Sequence, residues 1–215
     1  MEALIDDQQR SRINEILKFW YGEGNDRNMQ MDPGSMRKWF GSSAEMDQLI
    51  TENYKEDILK FERGEYNSWI TDRDGKVAAI ILLDQFTRNC FRKNKQAFSY
   101  DHIALSIAKS ISDEEFLSYG IQDQMFIILP YEHDETLESQ KKALHLCDLT
   151  IDKVNQIPDV PDQIKNLAKA VKDYAVKHSS VIEKYGRYPH RNEVLEREST
   201  EEEVEYLKTA ERFGQ

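Results

Sequence analysis

The spacing of hydrophobic residues is the feature that most constrains the fold. Over most of the chain they recur every three or four positions, the period of an α-helix, whereas the alternation typical of strands is nearly missing. When residues 76–91 are placed on a helix, apolar side chains cover almost its whole circumference, which predicts a helix at the centre of the core. With 9 glycines and 5 prolines the chain also lacks the turn density of a sandwich or barrel. The sequence therefore predicts an all-α fold.

About ten helices are expected, mostly as antiparallel neighbours on short connections, which is typical of solenoids and irregular bundles. No repeat of fixed period is visible, and no linker divides the chain, so we expect residues 1–215 to form one domain. The predicted helices span residues 11–21, 44–63, 76–91, 96–111, 112–119, 122–129, 136–156, 162–185 and 200–212, with a short helical turn at 36–40.

The composition excludes several classes of function. A formal net charge of −11, with lysines and arginines dispersed along the chain, disfavours nucleic-acid binding. The longest apolar run, residues 77–83, is too short to span a membrane. The first ten residues are polar and acidic, unlike a targeting peptide, and Cys90 and Cys147 suit free thiols in a reducing compartment. We expect a cytoplasmic protein.

The first polar segment, residues 82–89, interrupts the central helix. Asp84 and Arg88 share a face with apolar residues, and their spacing of four positions permits an ion pair. One interpretation is a structural pair that ties two helices together. The other is one wall of a polar pocket, with Gln85 and Asn89 at its flank.

The second polar segment, residues 129–135, holds Pro130, His133 and Glu135. We expect Pro130 to end one helix and the acidic residues to begin the next, where carboxylates interact favourably with the helix dipole. A capped, solvated turn would explain this composition. The alternative is functional, with His133 as acid, base or ligand and Glu135 orienting its ring.

The third polar segment, residues 185–192, follows a long helix. Arg187, His190, Arg191 and Asn192 lie within six residues and would suit a carboxylate or phosphate. The alternative is a rigid cap whose arginines cover carbonyl groups at the helix end.

Standard catalytic motifs are missing from the sequence, including phosphate loops, dinucleotide fingerprints, zinc-binding helices and nucleophile elbows. Neither cysteine has a histidine nearby in sequence, and no spacing indicates a metal site. We expect neither a metal nor a cofactor.

These segments read LLDQFTRN, LPYEHDE and YGRYPHRN, and together with the early FWYG they resemble the domain-of-unknown-function 924 family over nearly the whole chain. The resemblance implies an all-helical fold similar to tetratricopeptide-repeat proteins, and a biochemical role that is not established. It marks ten polar positions as candidate binding residues: Asp84, Gln85, Arg88, Asn89, His133, Glu135, Arg187, His190, Arg191 and Asn192.

Two departures from the family pattern bear on this site. The family usually has a small residue after the histidine, where this chain has Asp134, and its segment before the proline is often richer in arginine and tyrosine than residues 124–129 are here. An extra acid and a lost cation would weaken an anion site.

Our leading hypothesis is a helical-repeat protein whose three polar segments form one groove for a small anionic ligand or a peptide. Arg88, Arg187 and Arg191 would supply charge. We also expect His133, His190 and Arg88 to lie within about 10 Å of one another, the reach of a water-bridged network. The alternatives are an enzyme with a His/Glu acid–base pair and arginines that stabilise an oxyanion, and a non-catalytic subunit of a larger assembly.

Overall fold

A computed structural model describes residues 5–24, 26–41 and 43–210. The expected all-α class is confirmed, since the regular secondary structure of these residues is helical throughout. The α-helices are α1 (Asp7–Tyr21), α2 (Ser35–Phe40), α3 (Ala44–Glu62), α4 (Arg73–Ile80), α5 (Thr87–Cys90), α6 (Asp101–Lys109), α7 (Asp113–Ser118), α8 (Ile121–His133), α9 (Leu137–Gln156), α10 (Asp162–Tyr185) and α11 (Glu201–Leu207). A π-helical segment spans Ile81–Phe86, and 3-10 turns span Asn67–Thr71, Lys95–Phe98 and Pro189–Arg191.

Local sequence signals set many helix ends. Ser112 and Thr136 accept hydrogen bonds from backbone N–H groups in the first turns of α7 and α9. Thr200 and Glu203 form the expected capping box of α11. Gly186 ends α10 in the left-handed conformation, with φ 68°, which glycine adopts without steric cost. The last helix is expected to continue to Arg212, but α11 ends at Leu207 and residues 208–210 are not helical.

The predicted central helix forms, with one interruption. It begins three residues early, at Arg73, because Asp72 caps it, and its middle turn is π-helical from Ile81 to Phe86. The buried side chains of α4 and the π segment include six consecutive aliphatic residues, 78–83, with no solvent exposure. This part of the chain therefore crosses the interior, as its composition predicts.

Other predicted boundaries are also wrong, and α1 begins at Asp7 instead of Ser11. The helix expected over residues 96–111 is divided into a 3-10 turn and α6, with a break at Ser99 and Tyr100. The helix expected to end at Pro130 continues to His133. An interior proline costs about 3 kcal/mol; burial of almost all of α8 offsets that cost.

Helix α8 lies at the centre of the second half of the chain. It packs against α9, α6, α10 and α4, and α9 and α10 pack extensively on each other. Edge-to-face contacts of Phe126 with Trp20 and Trp39 join α8 to the N-terminal helices. The stacking of hairpins in a tetratricopeptide-repeat-like array stays a prediction, as does the single domain.

Cys90 and Cys147 are free thiols. None of the described helices combines the length and apolar character that a membrane span requires.

Candidate functional site

The centre of the candidate site is an aspartate–histidine pair. Nδ1 of His133 lies 2.7 Å from Oδ1 of Asp84. The Asp84 side chain is 0% exposed and that of His133 is 11% exposed. The pair joins the first polar segment to the second, although Asp84 and His133 are far apart in sequence.

Two irregular features of the helices bring these side chains together. Asp84 lies in the π-helical segment, where the extra residue per turn changes the direction of the side chains relative to a regular α-helix. His133 is the last residue of α8, beyond the interior Pro130. Such π segments are frequent at functional sites, so this geometry favours the functional interpretation of the first segment.

Asp84 is held as a buried carboxylate. Burial alone would raise its pKa, but the charges and hydrogen bonds around it, chiefly those of His133, give a net lowering. Nε2 of Gln85 donates to Oδ2 at 2.5 Å, and Nη2 of Arg88 lies 3.8 Å from Oδ1. His133 and Arg88 thus both face Oδ1 of Asp84, which confirms the expected proximity of the His133 and Arg88 side chains.

Arg88 has a stronger partner than the expected Asp84. Its two terminal nitrogens each donate to one oxygen of Asp101, both at 2.8 Å, and Nη1 also donates to the carbonyl of Ala97. This bidentate geometry fixes the guanidinium, whose positive charge is matched by two carboxylates. Arg88 therefore organises the interior of the site and is not available to neutralise a ligand.

Arg191 links the third segment to the second. Its Nη1 donates to the backbone carbonyl of His133 at 2.8 Å. The guanidinium carbon lies 4.9 Å from the ring centroid of Phe98 and 4.5 Å from that of Tyr188. Burial and the nearby charge of Arg88 lower the pKa of Arg191 to about 10. It therefore stays protonated at neutral pH.

Glu135 does not orient His133, contrary to expectation. It accepts hydrogen bonds from both terminal nitrogens of Arg197, at 2.6 and 3.0 Å, and from the backbone N–H of Tyr188 at 2.8 Å. The histidine's carboxylate partner comes from the first segment because α8 continues past Pro130 and its last residue reaches Asp84. The predicted His133–Glu135 pair is wrong.

Arg187 and Asn192 hold α11 in place. Arg187 donates to both oxygens of Glu203, at 2.6 and 2.7 Å, and Nδ2 of Asn192 lies 3.0 Å from Oγ of Ser199 and 3.3 Å from Glu203. Arg187 therefore has a structural role, but it binds a carboxylate of α11 and not the carbonyl groups at the end of α10 that the capping interpretation expects. Arg187 does not supply charge to the pocket described below.

Asn89 and His190 also lie apart from the pocket. Asn89 donates to Asp47, which Arg92 also binds. His190 lies beside Tyr188, with ring centroids 5.5 Å apart. Its predicted closeness to His133 stays a prediction.

A second buried acid lies behind the pair. Glu132 is 1% exposed, and neither carboxyl oxygen has a hydrogen-bond partner among the described residues. Oε2 is 3.4 Å from Nδ1 of His178, which itself contacts the carbonyl of Tyr174 at 2.9 Å. Burial and the charge of Asp84 raise the pKa of Glu132 to about 8, and burial and His133 lower that of His178 to about 3. Both are neutral near pH 7.

A pocket of about 450 Å³ opens beside this cluster. The second segment lines it through Pro130, His133, Asp134 and Glu135, and the third contributes Arg191. The first segment lies behind the wall, where Asp84 contacts His133. The remaining lining residues are Phe98, Asp101, His102, Leu105, Ser106, Lys109 and Leu195.

Sequence reasoning missed the contribution of α6. His102, Ser106 and Lys109 recur at helical spacing and form its pocket-facing side. His102 and Lys109 are exposed, and no hydrogen bond or ion pair joins either to another described residue. The sequence offers a weak signal, since any exposed amphipathic helix has such a stripe.

Two of the three carboxylates that line the pocket are paired with arginines. Asp101 is paired with Arg88 and Glu135 with Arg197, whereas Lys109 has no carboxylate partner in the described part of the chain. Asp134 is the exception, because its only described side-chain bond is to the hydroxyl of Thr136. No group of three or more His, Cys, Asp or Glu residues within the described ranges could hold a metal.

Comparison with known proteins identifies the family. Residues 16–211 match the family described as bacterial protein of unknown function (DUF924), and the chain belongs to it. The chain is also similar to a solved structure, the protein of unknown function ATU0120 from Agrobacterium tumefaciens. They share 28% sequence identity with a TM-score of 0.73, over 93% of this chain and 98% of the other. No curated protein matches the sequence.

Proposed function

We propose that this member of the DUF924 family binds a small anionic ligand, a carboxylate or phosphate, in the pocket between α6, α8 and the Pro189–Arg191 turn. The observation that carries the proposal is the pocket's set of basic groups. Lys109 and His102 have no partner among the described residues, and Arg191 adds a buried positive charge beside them.

The size of the pocket supports a small molecule over a peptide. A volume of about 450 Å³ is in the range typical of small-molecule sites. The ligand's charged group would lie near Lys109 and Arg191, where a charge-assisted hydrogen bond is about twice as strong as a neutral one. His133 would contact a hydroxyl group or a protonated oxygen of the ligand through Nε2, because Nδ1 is occupied by Asp84.

Calorimetric titration with inorganic phosphate and with malonate tests the proposal. We expect wild-type protein to bind at least one of these anions. Lys109→Gln should weaken binding about tenfold, which corresponds to the free energy of one hydrogen bond to a charged group. Lys169→Gln is the matched control, since Lys169 is also an exposed lysine but lies on α10 and not at the pocket. Undetectable binding of both anions, or equal effects of the two substitutions, would overturn the proposal.

The competing role, a non-catalytic subunit of a larger assembly, predicts a different result. Native mass spectrometry of protein purified from its source would then show a retained protein partner and no small ligand. A bound anion of low mass would support the pocket instead.

The tetratricopeptide-repeat-like stacking and a cytoplasmic location belong to the same proposal. Both cysteines are unbridged, which is usual in a reducing compartment. Stacked helical hairpins commonly present a concave binding face, and α6 and α8 would line it here.

A further inference from the structure

Binding an anion would not by itself require the aspartate–histidine pair. A histidine that only donated a hydrogen bond to an anion could be oriented by a backbone carbonyl, as His178 is by Tyr174. His133 is oriented by a carboxylate with no solvent exposure, and burying that charge is costly. Gln85 and Arg88 hold the Asp84 carboxylate in place. The buried carboxylate therefore fixes the orientation of the His133 ring.

The hydrogen bond to Asp84 also sets the tautomer of the ring. The carboxylate is an acceptor, so Nδ1 carries the proton and donates it. Nε2 of the neutral ring is then unprotonated. His133 lines the pocket, and Nε2 has no hydrogen-bond partner within the described residues. A basic nitrogen is thus presented where the ligand is expected.

We propose that His133 is a general base that accepts a proton through Nε2 from a hydroxyl group or water bound in the pocket, with Asp84 as its positioning residue. This inference rests on the proposed anion site, which would hold the charged end of the substrate. The O–H bond breaks, its electron pair stays on oxygen, and the proton forms an N–H bond at Nε2. The imidazolium is stabilised by Asp84 and returns the proton to the product as general acid.

The substrate class follows from the neighbouring groups. A small molecule with a carboxylate or phosphate at Lys109 and a hydroxyl group near His133 would use both features. The buried positive charge of Arg191 would stabilise the oxyanion that forms when the hydroxyl group loses its proton.

The chain contains a matched control for this pair. His145 and Asp113 form the same type of contact, Nε2 to Oδ2 at 2.8 Å, but both side chains are about half exposed, at 49% and 45%, and neither lines the pocket. Asp113→Asn changes this pair and leaves Asp84 untouched.

The test combines ring NMR with acylation by diethyl pyrocarbonate. Long-range proton–nitrogen spectra, recorded at a pH where the ring is neutral, should show His133 protonated at Nδ1 and unprotonated at Nε2. Asp84→Asn, whose amide can donate to the ring, should reverse this tautomer and slow acylation of His133 by at least about tenfold, because the wrong tautomer removes the reactive lone pair from Nε2. Asp113→Asn should change neither property of His133.

The outcomes separate the two proposals. A neutral wild-type ring protonated at Nε2, or acylation of His133 unaffected by Asp84→Asn, would overturn the general-base role even if phosphate binds. Failure of phosphate and malonate to bind, with the tautomer and the acylation rates as expected, would instead overturn the anion site. Asp84→Glu, which keeps the carboxylate, provides a second variant if Asp84→Asn does not fold, and it should preserve the Nδ1 tautomer.

Discussion

The guanidinium of Arg191 donates to the backbone carbonyl of His133 at 2.8 Å. Through this bond the turn after α10 is attached to the last residue of α8, while the His133 side chain binds Asp84 in the π-helical segment. Three regions separated by dozens of residues therefore meet at one histidine. The meeting point is buried on the side of Asp84 and open on the side of the pocket.

Arg88→Ala should be strongly destabilising. It would remove the bidentate partner of Asp101 and a neighbouring charge of the fully buried Asp84, which we expect to cost on the order of 3 kcal/mol. Urea denaturation gives the free energy of unfolding. Arg63→Ala, at a half-exposed ion pair, should cost much less, and equal losses from the two variants would contradict the assignment.

Glu203→Gln should change how stability depends on acid pH. The hydrogen bond from Arg187, with further bonds from Thr200 and Asn192, lowers the pKa of Glu203 to about 2. A folded-state pKa below the unfolded one stabilises the protein above the unfolded pKa of about 4.3, and this contribution is lost as the pH falls toward the folded value. The urea midpoint of wild type should therefore exceed that of the variant by less and less as the pH falls below about 4. A gap that stays constant down to about pH 2 would contradict this prediction.

Glu132→Gln should change the pH dependence of stability in the opposite direction from Glu203→Gln. Burial, with the charge of Asp84, raises the pKa of Glu132 to about 8. His178 and Cys147 also face this carboxyl group from α10 and α9. A raised pKa gives stability that is complete below the unfolded value and is lost as the pH rises through the folded one. The variant should gain stability relative to wild type between about pH 5 and pH 8, and a relative loss over that range would disprove the neutral buried acid.

Asp134→Asn should tighten the binding of anions. Asp134 lines the pocket without a described cationic partner, so its charge repels the ligand. Removing it should lower the Kd for phosphate about two- to fivefold at low salt, and less at high salt because of screening. Asp162→Asn, at the exposed start of α10, is the control and should leave the Kd unchanged. Weaker binding by Asp134→Asn would show that this carboxylate contacts the ligand favourably.

Both cysteines should react only after unfolding. Burial raises the pKa of Cys90 to about 11 and that of Cys147 further still, so little thiolate exists at neutral pH. A chromogenic disulfide reagent should detect two thiols in denatured, non-reduced protein and few in the native state. Detection of no thiol in the denatured protein would indicate a disulfide.

The sequence predicted those features that depend on local chemistry. Helical spacing indicated the central helix, and Gly186 and Thr200 indicated a helix end and a helix start. Asp84 could be recognised because it interrupts an apolar helix, and His133 because it lies in a short polar segment that follows one. Their side chains had to find partners, since buried polar groups are seldom left unpaired.

The choice of partners could not be predicted in the same way. Glu135 is near His133 in sequence, but α8 continues past Pro130 and brings His133 to Asp84 instead. Whether Lys109 faces solvent or a pocket depends on what packs beside α6, which is a property of the tertiary structure. The π-helical turn has no sequence signal that distinguishes it from a regular helix.

A crystal structure determined in the presence of inorganic phosphate tests the central claim most directly. The account predicts phosphate in the pocket, with Lys109 donating to one of its oxygens, a protonated oxygen within hydrogen-bond distance of Nε2 of His133, and the bond from Nδ1 to Asp84 retained. Phosphate bound only elsewhere on the surface, for example at the lysines of α10, while the pocket contains water alone, would contradict it.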